Sequence, residues 1–240
     1  MSKVIDNNVI FLIQIYFCSK LNFKYFKVPG LVKKMEFETK VILIAGGSSS
    51  GKSSISSYIK KIIGADSVCI VRMDWFYNEV PSGSSGEEHN WDHPDSFDWD
   101  ALINTVKKLK SGEPAQVPKH DFSKYKRIDN YKTIYPQSII IVDGLFTLYN
   151  EKLIEMATYK IFVLCDEDIS LSRRLKRDTE ERGYSHEVVI ERYFRHVKPS
   201  FRDYINPTKR RADIIIQNMG FCIEKNKGVE ILIKCLTYTH

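Results

Sequence analysis

The sequence predicts a doubly wound α/β fold, with a parallel sheet of about five strands covered by helices on both faces. Three observations carry that prediction. From Met35 onward, continuous Val/Ile/Leu-rich runs alternate with segments of helical spacing. The runs lack the polar alternation of half-exposed strands, as expected for parallel strands covered on both sides. The first run then enters Gly46-Gly47-Ser48-Ser49-Ser50-Gly51-Lys52-Ser53, a G-x-x-x-x-G-K-S loop between a strand and a helix. In such sheets ligands gather at the carboxyl ends of the strands.

The elements follow in order. Residues 1–34 are a basic and apolar N-terminal extension, whose apolar run from Val9 to Cys18 is interrupted by Gln14. That run is shorter than the roughly 20 residues a membrane span needs. It lacks the small-residue cleavage site of a signal peptide and the arginines of a mitochondrial leader. Met35 stands just before Glu36-Phe37-Glu38-Thr39-Lys40 and the first strand. A dispensable extension ahead of one domain at 35–240 is therefore expected, with an organelle or membrane tether as the alternative. Strand runs lie at 41–45, 67–72, 138–143, 159–164 and 212–216. Helical spacing marks 52–63 (through Ile55, Ile59, Ile62 and Ile63), 99–110, 168–181 and 186–198, with a last helix near 228–237. Residues 80–90 read as a polar loop. Residues 113–136 hold short alternating segments around Lys124 to Asn130 and predict a β-hairpin inserted in the α/β pattern. Placed near the sheet's carboxyl edge, such an insert would wall a second substrate. Nothing repeats at a fixed period.

The bulk composition narrows the function classes. With 43% apolar and 12% aromatic residues, the chain can build a substantial core. Its formal charge of +6 belongs to the extension, where six lysines face one acid, Asp6; the remaining body holds 30 basic against 29 acidic residues. So nearly neutral a body predicts no nucleic-acid surface. The cysteines at 18, 69, 165, 222 and 235 form no C-x-x-C pair or metal-ligand spacing. Cys69 and Cys165, inside apolar strand-like runs, read as buried thiols. The expectation is a reducing, cytoplasmic location with no membrane partner.

The loop from Gly46 to Ser54 predicts binding of a nucleoside triphosphate. Its glycines let the backbone curl with several N–H groups pointing inward, and the following helix adds its own free N–H groups at the same point. Lys52 supplies a mobile cation for the outer phosphates, and the Ser53 hydroxyl can reach magnesium. The plainer alternative, a flexible Ser/Gly turn, fits poorly between an apolar strand and a helical pattern. Strand 138–143 ends in Asp143, where a carboxylate beside a phosphate loop would hold the same ion. Strand 67–72 leads to Asp74, which emerges at the same edge and could serve as general base for an acceptor hydroxyl or merely cap a turn. The segment Asn90-Trp91-Asp92-His93-Pro94-Asp95-Ser96-Phe97-Asp98 packs three acids around a proline and aromatics. Carboxylates there suit vicinal hydroxyls, as in a ribose. Asp98 reads as a helix cap, and His93, preceding a proline, as structural. The helix from Arg173 to Arg182 is dense in charge. It reads either as a solvated face, with pairs such as Arg177 and Glu181, or as a source of cations for phosphoryl transfer.

These motifs, followed by VPKHDF, IIIVDG, LSRRLKRDTEERG, VKPSF and PTKRRADIII, occur in the order seen in uridine–cytidine kinases. The chain resembles that family of P-loop nucleoside kinases, relatives of phosphoribulokinase, over about residues 40–217. The resemblance implies a P-loop NTPase fold with an Arg-rich helical lid. It also implies ATP-dependent phosphorylation of the 5′-hydroxyl of uridine or cytidine in pyrimidine salvage, with magnesium, in a homotetramer. By the same resemblance Asp74 is the base, Asp92 the ribose ligand, Ser53 and Asp143 the magnesium ligands (the family usually has Glu at the second), and Arg174, Arg177 and Arg182 the lid arginines. Four positions depart from the family: His120 stands for Tyr, Tyr125 for the base-reading His, Tyr184 for Arg and Arg192 for Gln. His120 and Tyr125 still offer one imidazole and one phenol for stacking and hydrogen bonding. Two other readings stay open: the same chemistry on nicotinamide riboside, another nucleoside or a sugar phosphate, and a nucleotide-binding regulator without catalysis. A GTP switch is disfavoured, since Asn226-Lys227-Gly228-Val229 lacks the acid of a guanine-reading motif.

Overall fold

The structure is a computed structural model that describes residues 25–28, 31–34, 39–80, 85–86, 88–121, 126–220 and 222–237. The chain separates into two compact units, Met1–Glu38 and Thr39–His240. In the first, β1 (Tyr25–Val28) and β2 (Leu31–Lys34) form an antiparallel pair on either side of Pro29-Gly30. The extension thus carries strands that its composition did not announce.

In the second unit β3 (Lys40–Gly46), β4 (Val68–Arg72), β7 (Ile139–Asp143), β8 (Tyr159–Leu164) and β9 (Ile214–Gln217) make one sheet in the order β4-β7-β3-β8-β9. Every pairing in it is parallel. Period-two alternation divides the side chains between two cores. Val41, Leu43 and Ala45 of β3 pack on one face with Phe76, Leu102, Val106, Phe146 and Phe162. Ile42 and Ile44 pack on the other with Ile55, Ile59, Ile161, Val229 and Leu232. Helices α1 (Lys52–Ile63) and α6 (Lys227–Thr237) supply that second face, and α2 (Trp99–Lys110) the first. Asp98 caps α2, its Oδ1 accepting from Ala101 N at 3.0 Å. The chain passes from β3 outward to β4, returns to β7, then crosses to β8 on the other side of β3. That reversal opens a crevice at the carboxyl end of β3, where the phosphate loop begins.

The predicted hairpin is β5 (Ala115–Asp121) with β6 (Lys126–Ile134). A short helix α3 (Glu151–Ile154) precedes β8, and α4 (Glu167–Glu180) and α5 (His186–Arg192) follow it. The last strand begins at Ile214 rather than 212, because the Asp213 carboxylate, accepting from Lys160 N at 2.8 Å, closes the preceding turn. The helix expected over 186–198 instead runs on through π-helical stretches at Tyr193–Val197 and Phe201–Ile205 and a 3-10 stretch at Asn206–Arg211. Lys198 N reaches back five residues to Tyr193 O, and Asn206 N to Phe201 O. Each is followed by a proline, Pro199 or Pro207, which has no N–H to continue a regular ladder; the wider turn ends on the last available donor. Cys69 is buried as expected, but Cys165 lies just past β8 and is only half-buried, because the strand ends at Leu164.

Phe162 is fully buried in β8, between β3 and β9. Phe162→Ala should lower the unfolding free energy by about 3–5 kcal/mol in a urea titration.

Candidate active site

The phosphate loop is pinned from two neighbouring strands. Gly46 has φ +145°, and a side chain there would run into the Val163 carbonyl of β8. Gly51, at φ +95°, lies against the Asn218 amide just past β9. Asn218 is buried, and its Nδ2 donates to Ser50 O at 2.8 Å. The loop therefore takes its shape from β8 and β9 as well as from its own glycines. Lys52 folds back across it, Nζ donating to Gly47 O at 2.7 Å. Burial pushes the Lys52 amine below its ordinary range, opposed by the charges of Asp143 and Asp74.

Asp143 ends β7 at 4% exposure. Burial raises its carboxyl, while Lys52 and a hydrogen bond with Ser53 lower it. Its Oδ2 is buried and accepts no hydrogen bond among the described residues. Asp74 sits in the 3-10 turn Met73–Phe76 that follows β4. Burial raises its carboxyl above the ordinary range; Lys52, Arg182 and Arg177 oppose that rise, and Asp92 adds to it.

The lid is organised by a residue the sequence reading did not single out. Asp178, on α4, is 2% exposed. Its carboxylate takes Arg177 Nε at 2.8 Å, Arg174 Nε at 3.2 Å and Arg182 Nη1 at 3.3 Å. Arg174, 9% exposed, also donates to Ser48 Oγ at 2.8 Å and lies 4.0 Å from Asp92. These contacts replace the solvated face: Arg177 pairs with Asp178 rather than with Glu181. Burial alone would raise the Asp178 carboxyl, but the Arg177 hydrogen bond and the three guanidinium charges hold it below the ordinary range.

Opposite the lid stands an aromatic wall. The Tyr77 ring lies 5.2 Å from Trp91 and 5.5 Å from His120, and Trp91 lies 5.4 Å from His120. Arg192, at the end of α5, stacks over the Tyr184 ring at 4.5 Å. His93 is structural, as expected, with Nε2 3.0 Å from the Tyr204 hydroxyl.

One cleft of about 660 Å³ joins these parts. Ser48, Ser49, Gly51, Lys52, Ser53 and Ser54 line it with Asp74, Asp92, His120 and Asp143, and so do Arg174, Arg177, Arg182, Tyr184 and Arg192. Gly46, Gly47 and Ser50 shape the loop without lining the cleft. Tyr125 lies outside the described residues. Besides Asp178, the cleft holds Tyr77, Trp91, Arg173 and Asn218, to which the sequence reading gave no role. Asp178 was findable, standing four residues from Arg174 on α4 and four from Arg182 just past its end. Asn218 had no local signal; the sheet order alone brings it to the loop.

Because the folded-state pKa of Asp178 is depressed, its stabilising contribution is full above the unfolded-state value and fades as pH falls through the folded one. Asp178→Asn should be less stable than wild type at neutral pH. The gap should narrow below about pH 4, as read by urea unfolding across pH; a gap that is constant or widens with acid would contradict the ion-pair assignment.

A model of the phosphoribulokinase / uridine kinase family matches residues 41–222. The uridine kinase of Staphylococcus epidermidis is 41% identical over 185 residues, spanning 76% of this chain and 89% of that protein. Uridine-cytidine kinase A of Dictyostelium discoideum is 37% identical over 202 residues, or 78% of this chain; the chain spans 40% of that relative's length. Among solved structures, phosphoribulokinase from Rhodobacter spheroides shares the fold with a TM-score of 0.56 at 14% identity, over 80% of this chain and 74% of that one. A phosphate loop at the switch point of a parallel sheet, an arginine lid and these likenesses agree, and the chain belongs to the phosphoribulokinase / uridine kinase family.

Proposed function

We propose that this kinase transfers the γ-phosphoryl group of ATP to the 5′-hydroxyl of uridine or cytidine. The observation that carries the reading is a single cleft in which Asp74 and Asp92 face the phosphate loop, Lys52 and the lid arginines. In that reading the loop from Gly46 to Ser54 cradles the triphosphate, and Asp92 accepts from the ribose hydroxyls. Tyr77, Trp91 and His120 offer ring faces to the base, with Tyr184 and Arg192 bordering the same end. Asp74 accepts the 5′-hydroxyl proton as the oxygen attacks phosphorus and the bond to the ADP oxygen breaks. Lys52, Arg174, Arg177 and Arg182 stabilise the charge spread over the transferred group.

The buried Asp143 Oδ2 and the Ser53 hydroxyl beside it fit a hard cation that prefers oxygen ligands. Among the described residues no cluster of three or more His, Cys, Asp or Glu side chains forms, so phosphates and water would complete the shell, as magnesium prefers. Magnesium held there would neutralise charge on the triphosphate oxygens. The described residues contain no helix long and apolar enough to cross a membrane. The reading extends to a cytoplasmic homotetramer, checked by light scattering.

Transfer from ATP across a ribonucleoside panel, with full-length protein and a chain starting at Met35, tests this function. Turnover of uridine or cytidine is expected from both; activity only on another acceptor would overturn the assignment. Asp74→Asn should cost about 10²–10⁴-fold in kcat while leaving ATP binding nearly unchanged by calorimetry. Since burial raises the Asp74 carboxyl and the base must be ionised, kcat/KM should rise with pH through a value above the usual carboxylate pKa of about 4. An acid limb at or below that value would exclude Asp74 as the titrating base.

A further inference from the structure

The aromatic wall is assembled from three distant segments: Tyr77 after β4, Trp91 in the loop before α2, and His120 on β5. Tyr77 and Trp91 have local anchors. Tyr77 bridges to Phe97, and Asp98 N donates to Phe76 O at 2.7 Å. Trp91 Nε1 donates to Gly86 O at 2.8 Å. His120 stands on the hairpin, and the hairpin is interrupted just before it. Val117 pairs with Lys132 but Lys119 with Ile128, so Pro118 alone stands opposite residues 129–131. Proline donates nothing to the ladder, and such a bulge uncouples the orientation of the two halves. The inner rungs, 115–117 with 132–134, therefore do not by themselves dictate where the outer rungs, 119–121 with 126–128, point.

Arg127 ties the outer half down. Arg127 is the direct register partner of His120. Its Nε donates to the Tyr77 carbonyl at 2.9 Å, and its Nη2 to Asp98 Oδ2 at 3.0 Å. The other oxygen of Asp98 is the N-cap acceptor of α2. A single guanidinium thus joins the strand bearing His120, the backbone bearing Tyr77 and the start of α2. Its planar fork can make both bonds at once from a half-buried position, which a lysine ammonium on a flexible stem does poorly.

We propose that Arg127 is a positioning residue for the acceptor side of the cleft, latching the outer half of the hairpin so that His120 closes on Tyr77 and Trp91. Its polar contacts among the described residues go to Tyr77 and Asp98, on the side of the aromatic wall, so its influence falls on the acceptor and not on the donor. This assignment rests on the acceptor-site reading above, and its test separates the two.

The experiment compares wild type with Arg127→Ala, Arg127→Lys and Asp98→Asn. The last keeps an oxygen for the helix cap while placing an amide against the guanidinium. Steady-state kinetics with uridine and ATP should show an acceptor KM raised by roughly ten- to a hundred-fold in Arg127→Ala, with the ATP KM within about two-fold and thermal midpoints similar. Arg127→Lys should fall between wild type and Ala. Asp98→Asn should reproduce part of the loss, and the double variant should cost less than the sum, since the two groups act as one contact. An unchanged acceptor KM, or acceptor and ATP KM rising together with a lowered thermal midpoint, overturns the latch. Amide hydrogen exchange needs no acceptor: in Arg127→Ala the outer rungs should exchange at least about ten-fold faster while the inner rungs keep their protection. Unchanged outer rungs would refute the latch whatever the substrate. Wild-type turnover of neither uridine nor cytidine would refute the uridine/cytidine assignment and leave the exchange result to decide the latch.

Discussion

The site depends on how the phosphate loop is held at the point where the sheet changes direction. A loop of glycines and serines has little conformational preference of its own, yet anion binding needs its N–H groups fixed before the ligand arrives. The restraint comes from β8 and β9. The Val163 carbonyl leaves room for no side chain at position 46, and the Asn218 amide holds Ser50 O. Both neighbours follow from the strand order, because β3 lies beside β8 and β8 beside β9. The crevice, the loop geometry and the donor half of the chemistry share one cause, the parallel sheet and its reversal around β3.

Charge is distributed around that loop with few unpaired ions. Lys52 is answered by Asp143 and Asp74, and three lid arginines converge on Asp178. Three guanidiniums crowded together would repel one another and splay into solvent; one buried carboxylate holds them facing the cleft before any phosphate arrives. Asp74 and Asp143, by contrast, feel burial more than their cationic neighbours, and both carboxyls are raised. Depressed Asp178 and raised Asp74 both feel the charges of Arg177 and Arg182. Their difference lies in direct hydrogen bonding, which Asp178 has from Arg177 and Asp74 lacks among the causes of its shift.

The aromatic side of the cleft is built differently. Its wall comes from a turn, a loop and a β-hairpin, none of which belongs to the central sheet. Here orientation rests on ring packing and on polar ties such as those of Arg127, which join the hairpin to the Tyr77 backbone and to Asp98. His120, Tyr184 and Arg192 all line the cleft.

Much of this was legible in the sequence because the relevant signals are short in range. Apolar runs, helical spacing, the glycine-lysine-serine loop and carboxylates closing strands at Asp143 and just beyond one at Asp74 each occupy a window of a few residues. They determined the α/β fold, the phosphate loop and the carboxylates that line the same cleft. Other features had no such window. The Asn218 clamp and the Arg127 latch depend on which segments meet. Val163 and Asn218 each lie more than a hundred residues of chain from Gly46, as Arg174 does from Ser48. Tertiary structure alone decided these contacts, because strand order and packing, not local propensity, choose the partner of a buried polar group.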